Sequence, residues 1–561
     1  KYTIMSNLLD KASIILTPTA YNNGEALCVK PSDGSGDFDF SRNSAATRVN
    51  AQGLVENVQI LSSNLVQNGD FSEEGAEEVS NGSFTNGSTD WNLIGTATIT
   101  ENQANIVTTS AVTGISQSNI LTIGKSYKLS YNIVSNNNGG LKISGNEIPS
   151  VVGNNIYYFE ASAAALEILR NSGITDISIT NISVKEVGQN WDLVSANASI
   201  GENKLIANSV VTENIATQSG VVPISKPIIL KFDLILNSGG FRVLAGSGGT
   251  ATNITTSGTY TLYETSGTGG TLTLQSRFGG FDGSVTNISI IEITDDTNLP
   301  RINYEGFSYD GSGNVVPDSG CGSWLWEPQS SNLLTYSSDY NNSVWVKTGS
   351  ASVTSNTTIS PDGTQNADTL NIFSGNFFFQ PVIGTGTFTL SCYVKVPNGT
   401  LDFKMQSFNS TDGANSSGIF VATTEWQRFE HTVTITANSS FYPIQVSGLV
   451  GGDFEIWVAQ VEALSYATSL IPTSGSTVTR NQDVCNNGGS LASINSTEGV
   501  LYVEIAALAD DGTNRVISLN SGQRSNSVRL YFDSSGLGEV TMQVRSGNVL
   551  QVIEKYVLSN L

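Results

Sequence analysis

Short stretches in which apolar and polar residues alternate recur along almost the whole chain. Clear examples are YKLSYNIV (127–134), IILKFDLIL (228–236), FTLSCYVKV (388–396) and VRLYFD (528–533). A two-residue period is typical of a strand with one buried face. The intervening NNNGG, NSGG, SGTGG and PNGT segments supply the positive φ angles of tight turns. The pattern predicts an all-β fold of β-sandwich (jelly-roll) modules.

Helical periodicity is nearly absent. The stretch with the most helical composition, ASAAALEIL (161–169), is short and is followed by RNSG, so a single turn or another strand is the better prediction. Charged residues make up only 13% of the 561 residues, and Ser, Thr, Asn and Gln take their place. Because Ser, Thr and Asn compete with helical backbone bonding, this composition favours an extracellular type of all-β protein with several domains.

The net charge and the hydropathy exclude two classes of partner. A formal charge of −23 has the wrong sign for a nucleic-acid binder, whose affinity comes from neutralising phosphates. No window approaches 18 consecutive apolar residues, so the sequence predicts no membrane span. The first 16 residues lack the apolar core of a signal peptide.

Internal repeats divide the chain into modules. DISITNISVKEV (176–187) and DGSVTNISIIEI (282–293) align without a gap, 106 residues apart, and each closes a block that contains a tryptophan, Trp91 or Trp191. A third, longer block contains Trp345 and closes with DFEIWVAQVEA. NGDF (68–71) and NGSF (81–84) form a smaller duplication, in which we interpret the first copy as a vestigial or linker-borne strand. Periods of this kind indicate homologous sandwiches.

We therefore predict an elongated row of modules joined by short connectors. The last part opens with STEGVLYVEIAAL and is short for a lectin-type sandwich, so we expect the natural chain to extend beyond Leu561. The predicted parts are an N-terminal segment (1–60), a first sandwich (61–187), a second that repeats it (188–298), a connector (299–329), a third, longer sandwich (330–481) and the start of a lectin-like sandwich (482–561).

Candidate catalytic chemistry is sparse. His431 is the only histidine, it lies in an alternating strand pattern, and no G-x-S-x-G motif accompanies it. Glycosidases with a carboxylate pair need no histidine and remain open, although no pair stands out. We predict no catalytic residue and no metal site. The cysteines are too few and too scattered for a disulfide framework or a zinc ribbon and are interpreted as free or buried thiols: Cys28, Cys321, Cys392 and Cys485.

Calcium is the one cofactor left open, since jelly-roll modules often hold it with turn carboxylates. No D-x-D-x-D-G loop is present, and a turn-forming role is the favoured interpretation of the aspartates near the module starts: Asp70, Asp90, Asp362 and Asp368.

The tryptophans raise the possibility of carbohydrate contact, because aromatic faces stack on sugars. The repeat-equivalent positions of Trp91, Trp191 and Trp345 favour a shared role in the core instead. Trp426 and Trp457 lie in alternating strands and are interpreted as core anchors. The sequence assigns no carbohydrate-binding residue.

Several segments resemble structural proteins of tailed bacteriophages. DFDFSRNSAATRVNAQGLVENV (37–58) resembles the opening of such proteins. WEPQSSNLLTYSSDYNNSVWVK and DFEIWVAQVEALSYATSLIPTSGSTVTR resemble the carbohydrate-binding-module-like domain of phage fibres, and STEGVLYVEIAAL resembles the start of a concanavalin/laminin-G-like sandwich. The similarity covers most of the chain. Ser330 and Ser331 stand where such proteins often have Arg-Thr, so one charge is missing there.

The resemblance implies a virion appendage, a tail or head fibre. Residues 1–60 would anchor it to other virion proteins, the sandwiches would meet a host-surface glycan or receptor, and the fibre would be a homotrimer whose weak sugar contacts act together. Two alternatives remain: a secreted bacterial adhesin or polysaccharide-degrading enzyme with accessory modules, and a depolymerase fibre with its active site beyond Leu561.

Overall fold

A computed structural model describes most of the chain. The described residues are 11–18, 21–22, 25–211, 214–304, 308–309, 315–316, 322–494, 498–507, 509, 513–532 and 538–557. Cys321 and the first ten residues lie outside this part. Strands joined by turns form sandwich-like sheets, and this confirms the predicted all-β fold of tandem β-sandwiches. The described part contains no helix with the length and apolar character that a membrane crossing requires.

The chain divides into two compact units, Leu61–Thr294 and a second one made of Lys1–Ile60 with Asp295–Leu561. The first unit contains two sandwiches. The sheets of the first sandwich pack around isoleucines and leucines that alternate with polar residues along each strand. Its strands are Glu74–Glu77, Thr98–Thr100, Gln103–Thr108, Ser126–Asn138, Gly153–Glu160 and Thr175–Val187 in one sheet, and Asn92–Ile94, Gly114–Gln117, Leu141–Ile143, Asn146–Ile148 and Leu166–Arg170 in the other.

Two long strands, Pro227–Ala245 and Thr271–Asp295, pair with each other through three register shifts and form the centre of the second sandwich. Such shifts bend a strand, so one strand can continue from one sheet into the next. The other strands assigned to the same network are Ile60–Leu61, Asp192–Leu193, Ala198–Gly201, Lys204–Val210, Asn214–Ser219 and Gly258–Thr265.

The NGDF segment (68–71) belongs to the core of the second sandwich. Phe71 lies 5.2 Å from Trp191 between ring centroids, and Val66 is buried in the same cluster. The interpretation of this segment as a vestigial or linker-borne strand is therefore wrong, and the predicted start of the first module at residue 61 falls within the second. The first sandwich is inserted into the second, between Glu74 and Val187, which pair directly.

A tryptophan anchors the opening segment of each sandwich. Its indole N–H donates to a backbone carbonyl, and its ring packs on an aromatic residue three or four positions after that carbonyl. All three tryptophans are buried, as their repeat-equivalent positions predicted. The sets are Trp91 with Asn81 O at 3.1 Å and Phe84, Trp191 with Asn68 O at 3.0 Å and Phe71, and Trp345 with Tyr336 O at 2.8 Å and Tyr340.

A buried glutamine in each sandwich holds the residue just before that carbonyl. Its side-chain oxygen accepts the backbone N–H of the opening segment, which satisfies a buried donor. The pairs are Gln117 with Ser80 at 3.1 Å, Gln218 with Gln67 at 2.9 Å and Gln380 with Thr335 at 2.7 Å. These glutamines define equivalent positions in the three sandwiches.

The second unit contains the third sandwich, which is built from strands around an aromatic-rich core. In the first unit, the ASAAALEIL stretch itself forms part of strand Leu166–Arg170. The strands of the third sandwich are Val346–Lys347, Phe378–Val382, Leu401–Asn409, Gly413–Ser416, Phe420–Ala422 and Ser439–Gln445 in one sheet, and Ser352–Thr358, Ala367–Ile372, Gly386–Lys395, Gln427–Ile435 and Gly452–Glu462 in the other.

Six two-stranded pairs connect the termini and connectors of this unit. They include strands from the predicted N-terminal segment and from the predicted connector 299–329, which do not form separate bodies. The pairs are Tyr21–Asn22 with Glu25–Ala26, Asp39–Ser41 with Val484–Asn486, Thr47–Val49 with Val55–Asn57, Arg301–Asn303 with Ser323–Leu325, Ser308–Tyr309 with Val315–Val316, and Ser330–Asn332 with Val478–Arg480.

A buried charge cluster joins these segments. It is defined by Arg42, Arg301, Glu327, Arg480 and Asp483: the first four residues are at most 4% exposed, and the Asp483 side chain is fully buried. Arg301 donates to Glu327 at 2.8 Å and to Asp483 at 2.5 Å, Arg42 donates to Asp483 at 3.1 Å, and Arg480 lies 3.3 Å from Glu327. The segments around residues 42, 301, 327 and 480 are thus packed together around one buried charge cluster.

A single four-stranded antiparallel sheet forms the last part of the chain. Its strands are Arg515–Asn520, Ser527–Phe532, Glu539–Ser546 and Val549–Val557. One face carries apolar residues that are partly exposed, among them Ile517, Met542 and Val552. The second sheet of a lectin-like sandwich is not seen in the described residues, and that assignment stays a resemblance.

Candidate functional site

Three aromatic side chains form a platform on the outer face of the third sandwich. Phe377, Phe379 and Tyr442 are its members. The ring centroids of Phe379 and Tyr442 are 4.9 Å apart, and those of Phe377 and Tyr442 are 6.1 Å apart. The two phenylalanines remain half-buried, so their rings are accessible in part.

The strand register places these rings on one side of the sheet. Gln380 pairs with Phe441, and both point into the core. Because side chains alternate along a strand, the preceding Phe379 and the following Tyr442 point away from the core, but Tyr442 is covered by its neighbours and is only 6% exposed. Phe378 has no exposed surface and packs at 4.8 Å on Trp345, so the run of three phenylalanines is divided between the core and the platform.

Polar side chains border the platform. Gln406 pairs with Tyr442 on one side and with Ser416 on the other, and Ser416 Oγ donates to Gln406 Oε1 at 3.0 Å. Lys404, two residues before Gln406, lies on the same face. The border thus offers an amide, a hydroxyl and an ammonium group.

The Tyr442 hydroxyl stays protonated at neutral pH. Burial raises the pKa of Tyr442, and a hydrogen bond with Ser440 lowers it only in part. The phenol can donate as well as accept a hydrogen bond, but Tyr442 is only 6% exposed and already bonds Ser440, so the accessible ring surface is that of Phe377 and Phe379. An apolar ring surface edged by such groups suits a ligand with a flat apolar face and hydroxyls around its rim.

The other two sandwiches lack the platform although they share the frame. One residue before the equivalent glutamines stand Ser116 and Thr217, in place of Phe379. Opposite these residues stand Glu167 and Thr273, in place of Tyr442. Because the repeats preserve the glutamines and the tryptophans but not the platform, the fold does not require aromatic residues at these positions.

The platform was not predicted from the sequence, because only tryptophans were considered as sugar-stacking residues and the platform contains none. The available signal was the FFF run at 377–379, in which strand alternation must expose at least one ring. Tyr442 had no such signal, since its place beside Phe379 depends on the pairing of two strands that are distant in the sequence, Phe378–Val382 and Ser439–Gln445.

The tryptophans weighed as sugar contacts lie elsewhere. Trp457 is buried and its ring centroid is 5.5 Å from that of Tyr393, as expected for a core anchor. Trp426 is half-buried, donates from Nε1 to the Ile359 carbonyl at 2.9 Å, and has Lys395 Nζ 5.2 Å from its ring centroid.

The aspartates weighed as calcium ligands are dispersed. Asp70 accepts hydrogen bonds from Ser72, and Asp362 accepts them from Ser360, Thr364 and Asn366, which are contacts of turn-forming residues. Asp90 is exposed with a φ of 68°. In the described ranges, no three His, Cys, Asp or Glu side chains are grouped for metal binding.

The remaining candidates for chemistry are isolated. His431 Nε2 lies 3.3 Å from the Asn415 carbonyl, and burial lowers the pKa of its imidazole. Cys28 and Cys392 are buried and Cys485 is half-buried, and all three are free thiols.

Asp368 carries a testable pH dependence. Burial raises its pKa to about 7, although Asn356 donates a backbone hydrogen bond to it at 2.9 Å. Between the unfolded pKa and this value the native state binds more protons than the unfolded state. Stability should therefore fall as the pH rises from 4 to 7, by at most about 4 kcal/mol. We expect Asp368→Asn to flatten this slope in urea denaturation between pH 4 and 8, and parallel slopes for both proteins would contradict the assignment.

Comparisons with known proteins yield similar solved structures but no related family. No family model matches the chain, and no curated protein matches it. Among solved structures it is similar to the CBM22-1–CBM22-2 tandem domain of Paenibacillus barcinonensis Xyn10C, with 14% identity and a TM-score of 0.19 over 49% of this chain and 94% of that one. It is also similar to the M60 catalytic domain with CBM51-1 and CBM51-2 of Clostridium perfringens ZmpB, with 11% identity and a TM-score of 0.17 over 73% of this chain and 46% of that one.

A third similar structure is the CBM22-1–GH10 pair of the Clostridium thermocellum xylanase 10B, with 15% identity and a TM-score of 0.19 over 26% of this chain and 30% of that one. With identities and TM-scores of this size, the site has to be argued from its own residues. By its own fold, the chain is a tandem β-sandwich protein, and its third sandwich carries an aromatic platform.

Proposed function

We propose that this chain is a non-enzymatic attachment protein that binds a carbohydrate at the aromatic platform. The observation that supports this is the internal comparison: Phe379 and Tyr442 replace Ser116 and Glu167, or Thr217 and Thr273, on otherwise equivalent frames. Phe377 and Phe379 leave adjoining ring surface partly exposed above the buried Tyr442, and pyranose rings present the flat apolar face that such rings accept.

The bordering groups fit a carbohydrate better than an apolar ligand. Ser416 and Lys404, the more exposed border groups, can exchange hydrogen bonds with ring hydroxyls, which gives orientation and specificity, while Gln406 and Tyr442 are nearly covered. The platform lies on an open face of the sheet instead of in a closed pocket, and an open face accepts an internal stretch of a long polysaccharide as well as its end.

The binding test uses the full chain on a glycan array, followed by titration with the polysaccharide that it selects. Tyr442→Ala and Phe379→Ala should each weaken binding at least tenfold, because a buried aromatic anchor contributes on the order of 2 kcal/mol. Phe278→Ala is the matched control, since Phe278 is an exposed phenylalanine on the second sandwich. Equal affinity of Tyr442→Ala and the unaltered chain would exclude the platform.

We further propose that the chain serves in a tailed-phage virion, as a tail or head fibre and in trimeric form. The phage-like segments at 37–58 and 453–480 support this placement. Mass spectrometry of purified particles should detect the chain, and crosslinking should yield trimers. Glycan binding without the chain in any particle would instead favour the secreted bacterial adhesin or accessory module.

A further inference from the structure

The C-terminal sheet is a basic region of an acidic protein. Its described residues, 513–532 and 538–557, contain five Lys and Arg against two Glu, whereas the whole chain carries a net charge of −23. Three of the cations, Arg524, Arg529 and Arg545, are defined here as the arginine cluster.

The strand register brings these arginines to one face. Arg545 pairs with Ser527, and Arg529 follows Ser527 by two residues, so Arg529 and Arg545 share a face of the sheet. Arg524 lies in the turn between the first two strands and is exposed. This is the polar face, opposite to the one that carries Ile517 and Met542.

The described part of the chain supplies no carboxylate to the cluster. Arg545 donates to Gln543 Oε1 at 3.1 Å and to the Asn548 carbonyl at 3.2 Å, which are neutral acceptors. The Arg529 guanidinium lies 5.1 Å from the Tyr531 ring centroid, and its Nη1 is buried without a hydrogen-bond partner. Burial lowers the pKa of Arg529, and the neighbouring charges of Arg524 and Arg545 lower it further.

A cavity opens beside this unpartnered nitrogen. Its volume is about 210 Å³, and its lining includes Ser518, Asn520, Gln523, Arg524, Ser527 and Arg529. This is below the roughly 300–1,000 Å³ of sites that enclose a drug-sized ligand. The cavity therefore suits one small group on a larger molecule. The lining combines two guanidinium groups with hydroxyl and amide donors.

We propose that the arginine cluster binds an oxyanion, the carboxylate or phosphate group of an acidic polysaccharide. Planar guanidinium groups recognise both groups through paired hydrogen bonds, and the exposed Arg524 can close over the bound group. An anion would also neutralise the repulsion among the three arginines and supply the acceptor that Arg529 Nη1 lacks. This site is on a different sheet from the aromatic platform and does not depend on it.

The test is calorimetric titration of the full chain with three probes: inorganic phosphate, a short oligogalacturonate and a neutral malto-oligosaccharide of the same length. We expect at least one anionic probe to bind and the neutral one not to bind at this site. The affinity should fall as NaCl rises from 20 to 300 mM, because exposed charge pairs are screened. Phosphate and oligogalacturonate, titrated separately, distinguish the two sources of the anion.

Two variants decide between a specific site and general attraction. Arg529→Gln should weaken anion binding at least tenfold and Arg524→Gln several-fold, whereas Lys204→Gln, which removes a cation from the second sandwich, should leave it unchanged. Arg524 is exposed in a turn, so its substitution tests the site even if Arg529→Gln disturbs the sheet. Tyr442→Ala should not alter anion binding. Failure of both anions to bind, or unchanged affinity in both arginine variants, would overturn the proposal.

Discussion

Replacing Glu327 with glutamine is expected to lower the free energy of unfolding by about 3–5 kcal/mol, the range found when one partner of a buried ion pair is removed. Glu327 is 4% exposed and faces Arg301 at 2.8 Å and Arg480 at 3.3 Å. A glutamine would leave three buried guanidinium groups against Asp483 alone. It would also turn an NH₂ group towards groups that donate.

The loss should spread along the chain because the cluster joins distant segments. Ser469 donates to Glu327 from its backbone N–H at 2.8 Å and from its hydroxyl at 2.6 Å, and Asp483 accepts the Glu327 N–H at 2.8 Å. Arg42 reaches the same Asp483. We therefore expect trypsin to cleave after Arg42 and Arg48 faster in Glu327→Gln than in the unaltered protein.

The pH dependence of this variant follows from the pKa of Glu327. Burial acts to raise that pKa, but Arg301, Arg480 and the hydrogen bonds from Ser469 outweigh it and lower the pKa to about 2. The carboxylate thus stabilises the native state above the unfolded pKa near 4.5, and this contribution is lost as the pH falls from 4.5 towards 2. Glu327→Gln should lose less stability than the unaltered protein over that interval.

Glu56→Gln is the matched control in the same unit. Glu56 pairs with Arg48 at 2.8 Å, but both side chains are partly exposed, and such pairs contribute about 0–1 kcal/mol. Urea denaturation at pH 7 measures both variants. If Glu327→Gln and Glu56→Gln lost the same small amount, the cluster would not hold the segments together.

The strands could be predicted from the sequence because alternation is a local property. The paired repeats at 176–187 and 282–293 likewise identified two homologous sandwiches, and both close a core as expected. Which distant segments pack against each other is not encoded in a local pattern. NGDF and NGSF look alike, and nothing in their residues states that Phe71 packs on Trp191 while Phe84 packs on Trp91.

The same limit explains the buried charge cluster and the corner at Ser330. In the sequence Arg42 lies in the predicted N-terminal segment and Arg480 at the end of the predicted third sandwich. Contacts between distant residues, among them the pairing of Asp39–Ser41 with Val484–Asn486, bring these regions together. At Ser330, where the phage proteins that the sequence resembles often have an arginine, hydrogen bonds from neutral groups take the place of the charge. Ser330 Oγ donates to the buried Glu462 at 2.6 Å, and Thr468 donates to the same carboxylate from its backbone N–H at 2.9 Å. Neutral donors satisfy Glu462 where a cation was expected.

Phe71→Ala is expected to destabilise the second sandwich by about 3–5 kcal/mol, the usual range for truncating a buried phenylalanine. Phe71 is 2% exposed, and the inserted first sandwich separates it and Val66 from the later residues of their core, which begin at Val187. The effect should be local to that core. Hydrogen exchange followed by mass spectrometry should show faster exchange in 271–295 than in the unaltered protein, and no change in 166–184.

Phe84→Ala is the matched control, because Phe84 makes the same contact with Trp91 in the first sandwich at 5.3 Å. It should reverse the pattern, with faster exchange in 166–184. If the NGDF segment were only a linker, Phe71→Ala would change neither region.

A third variant tests the insertion itself. Since Glu74 pairs with Val187, residues 75–186 can be replaced by a short glycine turn without stretching the chain. The second sandwich should then still fold, with its exchange pattern in 271–295 retained, and its loss would show that the two sandwiches fold only together.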